Sequence, residues 1–291
     1  MNKADQYAAQ IQQIYPALSI ETVRFNQDGQ YNEVLVVNEA LIFRFARYPA
    51  AVTTLQQEVK ILQAIQEYVP LPIPNPIYYN LATPVVGEAF MGYQMLPGVP
   101  LWRPQFQTID SKERRTIARQ LASFLRALHS VPIMQLISNE LPVADTHGSY
   151  ADMYGRIRRQ LFPHMRREAQ QEAAHHFESF LNDPTASHFE PKLRHGDFGT
   201  GNLLFDVDNQ TMSGIIDFSF ASLGDPATDF AALLTSFGEA FFQECTKTYP
   251  AMADALPRVR FYLGTFALQE ALFGIENGDE AAFVSGLADY T

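Results

Sequence analysis

HGDFGTGNLLFDVDNQTMSGIIDFSF, residues 195–220, is the stretch on which the reading of the chain turns. His195-Gly196-Asp197 is followed by Phe198, a small-residue turn (Gly199-Thr200-Gly201) and Asn202. Leu203-Leu204-Phe205 reads as an apolar strand, Asp208-Asn209 as a turn, and Gly214-Ile215-Ile216-Asp217 as the returning strand, which Asp217 ends. The spacing predicts a short hairpin with Asp197, Asn202 and Asp217 gathered at one end. Phosphoryl transfer needs such a set: a carboxylate to orient the attacking hydroxyl and take its proton, and hard oxygen ligands to hold magnesium against phosphates. A lone His-Gly-Asp is compatible with an ordinary turn. The ordered series, ending in Ile-Ile-Asp-Phe, is what makes the signal specific.

Upstream, IETVRF (20–25), EVLVVN (33–38) and ALIFRFA (40–46) are β-branched or aromatic runs that read as strands. Alternation puts Leu41, Phe43 and Phe45 on one face of the third run and Ile42, Arg44 and Ala46 on the other. Val52, Leu55, Val59, Leu62 and Ile65 recur at helical spacing, and PLPIPNP (70–76) ends that helix. GEAFMGYQML (87–96) is a further strand, broken by Pro97-Gly98. From about 110 the period becomes helical, with Asp110 and Glu113 placed as a capping-box variant before the stripe Ile117, Leu121, Phe124, Leu125, Leu128. Further helices are expected over about 150–163, 167–182, 228–248, 254–275 and 279–288. The expectation is an α+β chain: a β-rich lobe with one main helix over 1–96, then a larger, mostly helical lobe over 97–291 with the hairpin embedded in it.

With these motifs in view, the sequence resembles the aminoglycoside phosphotransferase family over nearly its whole length. It is most similar to the branch acting at the 2″-hydroxyl, through IFRF, QQEV, PLPIP, GVPL, LHS, IIDF and DPATDF. The resemblance implies a protein-kinase-like bilobal fold and a small-molecule kinase. It implies Asp197 as catalytic base in contact with substrate, Asn202 and Asp217 as magnesium ligands, and GTP or ATP as phosphate donor. His195 would brace the loop. Asp225 and Asp229 of GDPATDF would hold the catalytic loop, although helix capping also accounts for Asp229. Arg44 and Glu58 sit where kinase-like enzymes place a strand cation and its helix glutamate. A purely structural ion pair is the other reading. The family usually has lysine at that strand position, so the charge is kept while the shape differs. Tyr93 would stand at the back of the base pocket, or be a core aromatic. Gln94, Met95 and Leu96 would offer backbone groups to the purine. Gly29 and Asn32, in the first turn, would let backbone amides approach phosphates, although a plain hairpin turn accounts for Asp28-Gly29 as well.

The acceptor is less well specified. In the related branch, acidic side chains after DPxxD and near the C-terminus receive substrate ammonium groups. Here Glu239 and Glu244 are the acids in 231–244, with Glu276, Asp279 and Glu280 in 273–283. Glu239 is the candidate substrate residue. The expected substrate is an aminoglycoside-like antibiotic; a metabolite hydroxyl (sugar, amino alcohol or nucleoside) is the alternative. A protein kinase fits less well, because the helical insert over 150–182 would cover a peptide's place.

Composition narrows the classes further. With 291 residues and 47% hydrophobic content the chain can bury one large core or two modest ones. A net charge of -11 repels nucleic acid on average and attracts cationic small molecules. Cys245 is the sole cysteine, which excludes an internal disulfide and a cysteine-rich zinc site. The polar start MNKADQYAAQIQQIYP has no secretory h-region, and no run is long and apolar enough for a membrane helix. A cytoplasmic enzyme with no membrane partner is expected.

Overall fold

The computed structural model describes residues 2–26, 32–82, 85–132, 141, 145–184, 186 and 188–291. In chain order the elements are α1 (Lys3–Ile14), β1 (Val23–Asn26), β2 (Asn32–Val37), β3 (Leu41–Ala46), α2 (Pro49–Ile65), β4 (Tyr78–Asn80), β5 (Phe90–Gln94), β6 (Val99–Pro100), α3 (Arg103–Thr108) and α4 (Ser111–Leu128). After these come α5 (Thr146–Gln160), α6 (Arg167–Leu181), β7 (Lys192–Arg194), β8 (Leu203–Asp206), β9 (Thr211–Ile215), β10 (Ser222–Gly224), α7 (Ala227–Phe237), α8 (Glu239–Thr246), α9 (Ala251–Asp254), α10 (Leu256–Asn277) and α11 (Glu280–Leu287). They fall into two compact units. The first comprises Met1–Leu141 and Gly199–Ala221, the second Pro142–Phe198 and Ser222–Thr291.

In the first unit, β1 to β5 form an antiparallel sheet of order β1-β2-β3-β5-β4. Asn38 and Glu39 turn β2 into β3 with φ of 53° and 48°, the paired positive values that suit the twist of a tight hairpin. Alternation along β3 sends Phe43 and Phe45 into a cluster with Leu35, Val37, Phe90 and with Tyr7 and Ile11 of α1. Tyr7 stacks on Phe45 at 3.8 Å. Ala46, on the opposite face, packs with Ala51 and Val52 of α2. The helix α1 was not evident in the sequence, because Tyr7 and Ile11 are its buried anchors and the sheet supplies the rest of their contacts. It is tied down by polar contacts too: Lys3 Nζ lies 2.6 Å from Glu33 Oε1, and the Tyr7 hydroxyl donates to Glu33 Oε2.

A second, three-stranded sheet in this unit has the order β6-β8-β9. The side-chain oxygen of Gln120 in α4 accepts from the Thr211 hydroxyl and the Met212 amide at 2.9 and 3.2 Å, fixing one end of β9. Gly98, in the expected Pro97-Gly98 break, has φ of 104°, and a Cβ there would meet Ser213 Oγ at 2.2 Å and Phe205 O at 2.8 Å. The break is therefore a close backbone approach as well as a turn.

In the second unit, β7 pairs with β10, and the remaining elements are helical. Phe180 stacks on Phe261 at 3.6 Å, joining α6 to α10. The helix expected over 228–248 is two helices, α7 and α8, because Gly238 takes φ of 82° between them. The helix expected over 150–163 starts earlier, at Thr146, where Asp145 accepts from the Gly148 amide, and stops at Gln160 before the turn that holds Pro163. Cys245 is buried, and burial pushes its thiol up to about 12, so it behaves as a core side chain. Among the described residues, no helix is long and apolar enough to cross a membrane.

Candidate active site

The expected catalytic stretch straddles the division between units: Asp197 belongs to the second, Asn202 and Asp217 to the first. Each set has its own scaffold.

In the first unit the scaffold is an arginine fork. β3 alternation turns Arg44 toward α2, where Glu58 interrupts the apolar stripe. Arg44 Nη1 donates to Glu58 Oε1 at 2.6 Å, while Nη2 reaches Asp217 Oδ1 at 2.9 Å and Ser219 Oγ at 2.8 Å. Glu58 also accepts from the Phe218 amide at 3.0 Å, and its other oxygen lies 3.2 Å from the Ser219 hydroxyl oxygen. Glu58 thus joins a strand cation to the backbone of the 217–219 segment. Burial alone would lower the Arg44 pKa, but the Glu58 and Asp217 carboxylates overrule it and hold the guanidinium charged. Burial pushes the Glu58 carboxyl up, against the pull of Arg44. Two terminal nitrogens serve separate acceptors here from the ends of a planar fork, a spread that the single ammonium nitrogen of lysine would have to cover from one point.

β9 ends at Ile215, so Asp217 lies just beyond the strand rather than at its end as the sequence suggested. It has φ of 62°, a left-handed conformation that Asp tolerates when its side chain bonds locally. The local bonds are present: Asp217 Oδ1 accepts from the Ser219 hydroxyl at 2.6 Å and the Ser219 amide at 3.3 Å. Asn202 closes a 3₁₀ turn, Thr200–Asn202, ahead of β8. Leu203 pairs with Ile215, and the Ile216 amide donates to the Asn202 carbonyl at 2.9 Å. That register brings Asn202 and Asp217 to the same end of the hairpin. Both are partly exposed and both offer hard oxygen atoms, the donor type that magnesium takes. No group of three or more His, Cys, Asp or Glu side chains among the described residues is gathered as a metal site. A magnesium ion completed by phosphate oxygens and water needs none.

Tyr93 pairs with Ile42 and is buried; burial, opposed by Arg44, pushes its hydroxyl up to about 12. Gln94 pairs with Leu41 and is exposed, as is Met95, while Leu96 is half-buried. The Met95 amide is committed to the Ala40 carbonyl at 2.8 Å. Of the first-turn residues, Asn32 is buried at the start of β2, and Gly29 lies outside the described residues.

In the second unit, Asp197 follows β7 and is exposed. The loop that carries it is held from below. The His195 and Gly196 amides donate to the two carboxylate oxygens of Asp229 at 2.8 and 2.9 Å. Nδ1 of the fully buried His195 accepts from the Asp197 amide at 3.2 Å. Capping was one account of Asp229, but its carboxylate spans to the loop. The side chain that accepts from the start of α7 is Asp225, from the Ala227 amide at 3.0 Å. Asp225 also takes Arg258 Nε at 2.7 Å and the Tyr262 hydroxyl at 2.8 Å. Burial, reinforced by Asp225, pushes the Tyr262 hydroxyl far up. Asp225→Ala would strand Arg258 and Tyr262 around an unfilled acceptor, and should lower unfolding free energy by about 3 kcal/mol in urea titrations.

The acids considered for substrate binding are largely engaged within the second unit. Glu244 pairs with Lys247 at 2.6 Å, and Glu276 with Arg156 and with Gln160, whose amide donates at 2.8 Å. Asp279 caps α11 through the Ala282 amide. Glu239 is exposed in the first turn of α8, with Arg260 at 3.9 Å. Ser219, Arg258 and Tyr262 were not singled out from the sequence. A hydroxyl two residues after a metal-ligand candidate was the one signal for Ser219.

Comparison with known proteins bears on the family and the fold. Residues 22–262 match the phosphotransferase enzyme family designated APH. Viomycin phosphotransferase of Streptomyces vinaceus is 28% identical over 269 residues, covering 90% of this chain and 91% of the relative. The GDP and kanamycin complex of APH(2″)-IIIa superposes with a TM-score of 0.89 at 25% identity, covering 97% of this chain and 96% of that one. A macrolide 2′-phosphotransferase of type I shares the fold with a TM-score of 0.77 at 22% identity, covering 100% and 98%. The chain, with its protein-kinase-like α+β fold, belongs to the phosphotransferase enzyme family.

Proposed function

We propose that this enzyme transfers the γ-phosphate of GTP or ATP to a hydroxyl group of a cationic antibiotic of the aminoglycoside or viomycin kind. The observation that carries the reading is the β8–β9 register, which has Asn202 and Asp217 at one end of the hairpin while Arg44 grips Asp217 and Glu58. The names of the relatives, a viomycin phosphotransferase and a kanamycin complex with GDP, support the substrate class. The net charge of -11 favours a cationic acceptor over an anionic one.

The roles follow from the chemistry of the side chains. Asp197, exposed on a loop that His195 and Asp229 hold rigid, orients the acceptor hydroxyl and takes its proton as oxygen bonds to the γ-phosphorus. The bond from that phosphorus to the β-phosphate bridging oxygen breaks, and the nucleoside diphosphate leaves. Asn202 and Asp217 would hold magnesium, which supplies charge neutralisation at the phosphates. Arg44 keeps its positive charge near the phosphates because Glu58 anchors its other nitrogen. Tyr93 closes the back of the purine site, and backbone groups of the 94–96 segment other than the Met95 amide meet the base. Glu239 receives an ammonium group of the substrate.

A second reading is favoured by the engaged state of Glu244, Glu276 and Asp279. With few carboxylates uncommitted, a less highly charged hydroxyl compound, such as a sugar, amino alcohol or nucleoside, is the alternative acceptor. A thermal-shift comparison of GTP and ATP with magnesium selects the donor, and a panel of aminoglycosides, viomycin-type peptides and metabolites then selects the acceptor. Phosphorylation of an antibiotic is the expected result. Turnover of a metabolite alone would establish the alternative, and no nucleotide-dependent phosphorylation of any member would sink the proposal.

A further inference from the structure

Ser219 stands two residues beyond Asp217 and touches every member of the arginine fork. Its Oγ lies 2.6 Å from Asp217 Oδ1, 3.2 Å from Glu58 Oε2 and 2.8 Å from Arg44 Nη2. A hydroxyl carries one proton and two lone pairs. The short contact to Asp217 takes the proton, Arg44 donates into a lone pair, and Glu58 is the longer alternative acceptor. Asp217 Oδ1 then receives three donors: the Ser219 hydroxyl, the Ser219 amide at 3.3 Å and Arg44 Nη2 at 2.9 Å. Three donors converging on one oxygen fix the plane of the carboxylate, and with it the direction of the second oxygen. They also close a local ring around a residue held at φ of 62°.

We propose that Ser219 is a positioning residue that sets the Asp217 carboxylate for a divalent cation, and that it does so as the partner of Arg44. The inference rests on the magnesium role proposed for Asp217. It explains a departure of this chain, since an arginine at position 44 can serve Glu58 with one nitrogen and the Asp217–Ser219 pair with the other. A lysine carries its three donors on one nitrogen and would have to serve Glu58, Asp217 and Ser219 from a single point rather than from the two ends of a planar fork.

The experiment is a titration of fluorescent GTP and ATP analogues into the full chain at increasing magnesium, with EDTA as the metal-free arm. Ser219→Ala should raise the magnesium concentration at half-maximal binding about tenfold, as expected for loss of a group that orients a metal ligand. Affinity in EDTA should stay at the wild-type value, which a loosened fold would not allow. Ser219→Thr keeps the hydroxyl and should restore the midpoint. The Arg44→Lys and Ser219→Ala effects should fall short of additive when combined, because the two residues act on one oxygen. If Ser219→Ala does not fold, Ser219→Cys, which keeps most of the shape and weakens the donor, is read by the same criterion. A magnesium midpoint unchanged by Ser219→Ala, alongside a large shift from Asp217→Asn, overturns the role of Ser219 alone. An unchanged midpoint in both variants overturns the Asp217 reading and the serine with it.

Discussion

Asp197→Asn should reduce kcat by about 10²–10⁴-fold while nucleotide affinity stays at the wild-type level. The reasoning is local. Asp197 is exposed on its loop, and the loop's geometry is set by other groups: the His195 and Gly196 amides on Asp229, and the Asp197 amide on His195 Nδ1. Those bonds use backbone atoms of the loop, so asparagine leaves them intact. What disappears is the negative charge to which the proposed mechanism assigns the hydroxyl proton. Because the substrate's ground-state contacts change little, the loss should appear in kcat rather than in KM for nucleotide. Steady-state kinetics with a coupled assay, together with nucleotide titration, separates the two. A variant that keeps more than a tenth of wild-type turnover would remove Asp197 from the role of base.

Asp217→Asn should act at the other end of the reaction, on nucleotide binding in the presence of magnesium. One unit charge about 4 Å from a cation is worth about 4 kcal/mol at an effective dielectric near 20. Asp217 is 40% exposed at its side chain, so screening discounts this heavily, and a loss of about ten- to a hundredfold in magnesium-dependent affinity is the expected scale. The substitution also removes an acceptor charge from Arg44, but Glu58 remains at 2.6 Å and keeps the guanidinium in place. Affinity measured in EDTA should therefore change little. Equal losses with and without magnesium would mean that Asp217 serves the fold of the 217–219 segment and not the metal.

The residues that were legible in advance share a feature: their signal is local. The hairpin was readable because apolar alternation and turn residues sit within one short stretch, and the β8–β9 pairing follows it. Arg44 and Glu58 were readable as a pair because each is out of place, a cation between phenylalanines and a carboxylate in an apolar stripe, and each such group needs a partner. The helix α1 was not, since Tyr7 and Ile11 gain their meaning only against Phe45 and the sheet. β4 and β6 are too short to show a period. Gly238 sat inside a long apolar run and was read through, although its positive φ divides the run in two. Asp229 was readable as important but its action was ambiguous, because a cap and a loop anchor look alike until the His195 amide is seen on its carboxylate. Ser219 carried almost no signal, since its meaning lies in Glu58, far away in sequence.

The central claim is that the β8–β9 hairpin and the Arg44 fork together organise a magnesium-bound nucleotide. Calorimetric titration of GTP and of ATP into the wild-type chain, with magnesium and with EDTA, tests it most directly. Saturable binding of one of them that strengthens at least tenfold when magnesium is added is the predicted result. Binding of neither nucleotide, or binding indifferent to the metal, would contradict the account.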